Sequence, residues 1–145
     1  IGCFHAAQLY AAQMVEHGKG GSIVAVASVA ARMPRMRQAA YAASKAALRQ
    51  ALRVLGMEVV GSGVRINTVS PGPTDTEMMR DLASDHAAVR DLSSGDLAAL
   101  RPRIPSGRVA DVADVAAAAA FLLGPGSAHI ALADVVVDGG ELLGM

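Results

Sequence analysis

Tyr41 and Lys45 stand four residues apart in Tyr41-Ala42-Ala43-Ser44-Lys45. In a helix that spacing puts both side chains on one face. A phenol is a poor base at neutral pH, with an ordinary pKa of about 10. A neighbouring ammonium favours the phenolate, so the pair is suited to exchanging a proton with a substrate hydroxyl. Ser28 ends an apolar run, Ser22-Ile23-Val24-Ala25-Val26-Ala27, and its hydroxyl is placed to hydrogen-bond the same substrate oxygen. The small residues Ala39, Ala40, Ala42 and Ala43 leave room for a cofactor beside the pair. Taken alone, Tyr-x-x-x-Lys also describes helices in which Tyr packs and Lys is solvated, so the elements around it carry weight.

Those elements alternate. Cys3 to Val15 reads as an amphipathic helix with Phe4, Ala7, Leu9, Ala11, Met14 and Val15 on or near its apolar face, stopped at Gly18. The run before Ser28 is apolar on both faces and rich in β-branched residues, which predicts a strand buried inside a parallel sheet. Val29 to Gln38 reads as a loop, and Ala39 to Val60 as a long helix ending at Gly61-Ser62-Gly63. Val64 to Ser70 is the next strand, closed by Pro71-Gly72-Pro73. Residues 74 to 105 are polar and mixed, with short helices expected over a mobile connection. Asp111 caps an alanine-rich helix reaching Leu123, and Asp134 to Asp138 forms a last strand before Gly139-Gly140. Helix and strand in strict alternation imply an α/β, doubly wound, Rossmann-type parallel sheet in a single domain, residues 1–145. Such sheets bind ligands at the carboxyl ends of their strands, which singles out the segments beginning at Ser28 and Pro71.

Composition narrows the chemistry. The chain has 145 residues, 52% hydrophobic and 18% charged, with a formal net charge of zero. This fits a folded globular protein and offers no basic stripe for nucleic acid. Aromatic residues make up 3%, with no Trp, so a base-stacking surface is not expected. One cysteine, Cys3, excludes a disulfide or a cysteine-based zinc site within the chain, and in its apolar setting it is expected to be a buried small residue. His5, His17, His86 and His129 are scattered, so no metal site is expected. The apolar run from Val115 to Leu123 is far short of the ~20 residues of a spanning helix, so no membrane partner is expected.

Four segments in order carry a family resemblance: Gly21 to Ser28, Tyr41 to Lys45 thirteen residues past Ser28, Asn67-Thr68-Val69-Ser70-Pro71-Gly72, and Val137-Asp138-Gly139-Gly140. Together they resemble the short-chain dehydrogenase/reductases over essentially the whole chain. The resemblance implies Tyr41 as general acid/base, Ser28 as partner of the substrate hydroxyl, and Lys45 as both pKa modulator and ribose ligand. It also implies that Pro71 and Gly72 lie against a nicotinamide, that Thr74 contacts its carboxamide through the backbone, and that Thr76 contacts the cofactor. The family's opening strand, its glycine-rich pyrophosphate turn and its Asn-Ala-Gly segment have no counterpart here. Gly18, Gly20 and Gly21 follow a helix and are not that turn. The chain is therefore expected to be the carboxy-terminal portion of a longer enzyme.

Within the family, Ala27 to Met36, Val69 to Met78 and His129 to Gly140 are similar to the subgroup of 2,3-dihydro-2,3-dihydroxybenzoate dehydrogenases of catecholate siderophore pathways. Most relatives carry Thr-Gly where this chain has Ala131-Leu132, which favours the subgroup. That similarity implies NAD (with NADP open), a cyclic diol carboxylate as substrate, a cytoplasmic location and a homotetramer. Arg35, between Ser28 and Tyr41, reads either as the fork for the substrate carboxylate or as a solvated loop arginine. Arg32 and Arg37 are weaker candidates. Met78 and Met79 read as closing over the ring or as plain lid packing. Two alternatives stay open: another family reductase, such as a 3-oxoacyl-carrier-protein reductase or a sugar or steroid dehydrogenase, and a non-catalytic fragment that serves only in oligomerisation.

Overall fold

A computed structural model describes residues 2–83, 89, 91–96 and 98–143. Helix α1 spans Gly2–His17, strand β1 Gly21–Val26, helix α2 Ala39–Val59 and strand β2 Val64–Pro71. Helices α3, Glu77–Ala83, and α4, Val112–Leu123, precede the last strand, β3, Asp134–Val137. The strands form one parallel sheet in the order β1-β2-β3. Its register pairs Gly21 with Val64 through Val26 with Val69, and Thr68 with Asp134 through Pro71 with Val137. Parallel neighbours require crossover connections, and α2 and α4 supply them.

The strand side chains alternate between two helical layers. Ile23, Ala25 and Ile66 face Ala7, Ala11, Leu52 and Leu55, so α1 and α2 cover one side of the sheet. Ser22 and Arg65, of the opposite parity, reach the carbonyl of Leu122 in α4, which covers the other. The doubly wound architecture expected from the sequence is therefore present. Small residues set the close approach of α2: a Cβ added at Gly56 would overlap the Leu132 side chain and stand 3.4 Å from Cβ of Ile66. Val29–Ala31 forms a single 3₁₀ turn in the segment read as a loop.

Three expectations about burial are corrected. The run before Ser28 was expected to be buried on both faces, yet β1 is only half-buried and Val26 is 52% exposed. The reason is its place in the sheet: β1 has a strand neighbour on one side only, among the described residues. Leu9 and Val15 point away from the sheet, so the buried stripe of α1 is narrower than its apolar sequence and centres on Ala7 and Ala11. Cys3 is exposed rather than buried, because it lies in the first turn of α1, one turn before the covered stretch begins at Ala7. His86 lies outside the described residues, and His5, His17 and His129 are exposed. Among the described residues, no helix is long and apolar enough to cross a membrane.

Asp111 is the N-cap of α4, as its sequence predicts, and the Asp114 carboxylate completes a capping box by accepting the Asp111 N–H at 2.8 Å. Arg108 donates to both oxygens of that carboxylate, at 2.7 and 3.1 Å. The hydrogen bond from Arg108, and then that from the Asp111 backbone, hold the Asp114 carboxyl below its ordinary value. A depressed carboxyl stabilises the fold above its unfolded pKa and loses that contribution as pH falls through the folded one. Asp114→Asn is therefore expected to lower stability near neutral pH and to narrow the gap to wild type below about pH 4. Denaturant unfolding at pH 7 and pH 3 checks it; equal gaps at both would contradict the linkage.

Candidate functional site

The site is built where strands β1 and β2 end. Beyond Val26 the ladder runs one residue further, with Ala27 N–H donating to the Val69 carbonyl at 2.7 Å, and then releases Ser28. Ser28 is buried and extended, and it caps the 3₁₀ turn that follows: its Oγ accepts the Ala30 N–H at 3.2 Å. Used as an acceptor there, the hydroxyl keeps its own hydrogen for another oxygen.

Tyr41 and Lys45 lie in the first two turns of α2 and share a face, with Nζ of Lys45 5.8 Å from the centroid of the Tyr41 ring. The Lys45 ammonium donates to the carbonyl of Val26 at 3.1 Å. That bond fixes the lysine against the carboxyl end of β1, two residues before Ser28. An ammonium has three donors and Val26 takes one, leaving others to turn toward a ligand. Tyr41 is 43% exposed, so its hydroxyl is open to a substrate. A phenol and an ammonium on one helix face, with the ammonium anchored two residues from a serine hydroxyl, are groups that can bind an alcohol oxygen and move its proton.

The second strand end lies beside the first. Pro71 closes β2 opposite Val137, and Gly72 N–H donates to the Val137 carbonyl at 2.9 Å. A Cβ at Gly72 would lie 2.9 Å from Cα of Asp138, so only glycine lets the chain pass this close to β3. Thr74 is buried, and its hydroxyl donates to the Gly72 carbonyl at 3.1 Å. Its bridge to Ala110 uses the Pro73 carbonyl and the Asp75 N–H, which turns the peptide groups of Thr74 itself away from Ala110. Thr76 Oγ1 accepts the Met79 N–H at 3.3 Å and so starts α3, on which Met78 is exposed.

Arg35 is neither solvated nor unengaged. Its side chain is 14% exposed, and Nη2 donates to Oε1 of Glu141 at 2.6 Å. Arg101 approaches the same oxygen at 3.9 Å. Arg32 pairs with Asp134 at 2.7 Å. Sequence reading missed both carboxylates, since each meets partners far away along the chain and neither sits in a local pattern that announces it. A concavity lined by Lys19, Gly20, Gly63, Arg65 and His129 lies at the opposite, amino end of the strands, away from this chemistry. Among the described residues no three His, Cys, Asp or Glu side chains gather as metal ligands.

The chain is similar to known proteins. Residues 1–141 match the family model described as enoyl-(acyl carrier protein) reductase. The chain is 45% identical to 2,3-dihydro-2,3-dihydroxybenzoate dehydrogenase of Escherichia coli (strain K12) over 87% of its own length and 51% of that protein's. It is 44% identical to the vibriobactin-specific 2,3-dihydro-2,3-dihydroxybenzoate dehydrogenase of Vibrio cholerae, over 85% and 47%. A solved structure described as a putative 2-deoxy-D-gluconate 3-dehydrogenase from Agrobacterium tumefaciens with bound NADP superposes with a TM-score of 0.84 at 28% identity, over 97% of this chain and 54% of that one. The chain thus spans about half the length of the curated relatives it matches.

Proposed function

Because this chain belongs to the short-chain dehydrogenase/reductase family, we propose that it carries the proton-transfer half of an oxidoreductase that oxidises 2,3-dihydro-2,3-dihydroxybenzoate to 2,3-dihydroxybenzoate with NAD, in catecholate siderophore formation. The observation that carries the reading is the placement of Lys45 between the Tyr41 ring and the Val26 carbonyl, two residues before Ser28. The names of the two relatives most alike among those cited support the substrate.

The donor set fits a nicotinamide nucleotide. The spare hydrogens of the Lys45 ammonium suit ribose hydroxyls, and the peptide groups of Thr74, turned away from Ala110, suit a carboxamide. Pro71, Gly72 and Thr76 line the same side. The cofactor, when bound, supplies a hydride acceptor. Ser28 donates its free hydrogen to the carbinol oxygen and holds it toward Tyr41, whose phenolate oxygen takes the carbinol proton as the carbinol hydride departs. Lys45 favours the phenolate electrostatically. The ketone so formed enolises to the aromatic catechol, which makes the overall reaction favourable. Arg35 serves the carboxylate of the substrate, and Met78 the ring. The proposed protein is a cytoplasmic homotetramer in which residues 1–145 form part of one domain.

The test is an assay of the full-length protein, using NAD+ or NADP+ and the diol carboxylate. The expected result is NAD+ reduction with release of 2,3-dihydroxybenzoate. A folded, cofactor-binding protein that leaves this diol untouched would exclude the substrate and return the choice to other family reductases. Failure to bind either nucleotide would favour the non-catalytic, oligomerisation reading.

A further inference from the structure

Glu141 is a fully buried carboxylate that the proton chemistry does not use. Asp138 fixes its backbone, accepting the N–H groups of Gly140 and Leu142 at 2.8 Å each. Around Glu141 meet three segments that follow strands. Arg35 comes from the loop after β1, Gly72 from the turn after β2, and Glu141 itself from the turn after β3. Arg101 joins from the polar stretch beyond α3.

We propose that Glu141 is a positioning residue, which holds Arg35 and Arg101 together as a pair of guanidiniums with unmatched donors, and that this pair selects substrates bearing a carboxylate. The inference rests on the diol-carboxylate reading above and deepens it.

Geometry and donors support it. Two guanidiniums face the Glu141 carboxylate in a largely buried place, with Asp96 acting on Arg101 and Asp138 on Glu141 from nearby. Arg35 Nε and Arg101 Nε and Nη2 are buried without a hydrogen-bond partner. Buried donors are seldom left unmatched, and donors of this kind donate readily to an oxyanion. Burial first, and then the like charge of Arg35, lowers the Arg101 pKa against the pull of Glu141 and Asp96. Burial also pushes the Glu141 carboxyl up, against the pull of the two arginines. Without the carboxylate, repulsion would drive the arginines apart and the fork would be lost.

The experiment uses the full-length protein saturated with NAD+. It compares 2,3-dihydro-2,3-dihydroxybenzoate with the same cyclohexadiene diol lacking the carboxylate. In Glu141→Gln, KM for the carboxylated diol is expected to rise about tenfold or more, the loss typical of a hydrogen bond to a charged group. The kcat should be little changed, as follows when binding shared by ground and transition states is removed. KM for the uncharged diol and for NAD+ should hold, and Glu141→Asp should recover part of the loss. Arg101→Gln, which leaves the Arg35–Glu141 pair intact, should show the same selectivity and decides the matter if Glu141→Gln does not fold. Equal changes for both diols, no change for either, or a selective loss of NAD+ affinity would overturn the proposal. A wild-type protein that does not prefer the carboxylated diol overturns the substrate reading along with it, whereas a wild type that prefers it and variants that keep the preference overturn this inference alone.

Discussion

Replacing Tyr41 by Phe in the full-length protein is expected to lower kcat by roughly 10²–10⁴-fold, the range spanned by a positioned general acid or base. The substitution removes one oxygen and keeps the ring. That ring is 43% exposed and makes its clearest contact with the Lys45 ammonium, at 5.8 Å, which a phenyl face retains. Stability should therefore stay within about 0.5 kcal/mol of wild type, as for surface changes that touch no special feature. Nucleotide affinity should also hold, since Lys45 keeps its bond to the Val26 carbonyl. The decisive pattern is lost turnover in a protein that melts normally and still binds NAD+. Turnover within a few-fold of wild type would remove Tyr41 from the proton path. Weakened nucleotide binding together with lower stability would instead mark it as a packing residue.

Much of this was legible from local pattern. Helical spacing put Tyr41 and Lys45 on one face, and the end of an apolar run put Ser28 at a strand terminus, because both follow from short-range geometry. The order of elements followed for the same reason. What stayed hidden depends on contacts distant in sequence. Glu141 meets Arg35 across 106 positions, and no periodicity points from one to the other. Arg35 could be read only as a substrate contact or a solvated side chain, since its third possibility, an internal partner, lies beyond the last strand. Burial failed similarly for Cys3, Leu9 and the strand before Ser28. An apolar stretch shows which face can be buried, while the neighbours present decide whether it is.

Asp134 illustrates that hidden class, and its loss is expected to have the largest effect on stability. Its side chain is 4% exposed at the start of β3. Oδ1 accepts the hydroxyls of Thr68 at 2.8 Å and Ser70 at 2.6 Å, while Oδ2 lies 2.7 Å from Nη2 of Arg32 and 3.5 Å from Nη1 of Arg49. One carboxylate thus ties β2 and β3 to the turn after Ser28 and to the helix that carries Tyr41 and Lys45. Removing one member of a buried ionic group costs about 3–5 kcal/mol, mostly through the partners left uncompensated. Arg32, 38% exposed, can turn to water, so its share is small. Thr68 and Ser70 are buried, and Arg49 is only 21% exposed, so they cannot do so as readily. Asp134→Ala is therefore expected near the lower end, about 3 kcal/mol. Asp134→Asn should fall between it and wild type, because the amide oxygen can still accept a hydroxyl while the charge facing Arg49 is gone. Denaturant unfolding of the full-length protein measures both. A loss under about 1 kcal/mol for Asp134→Ala would mean that the hydroxyls and Arg49 find water or other acceptors without it, and that the turn after Ser28 is held by the strand ladder alone.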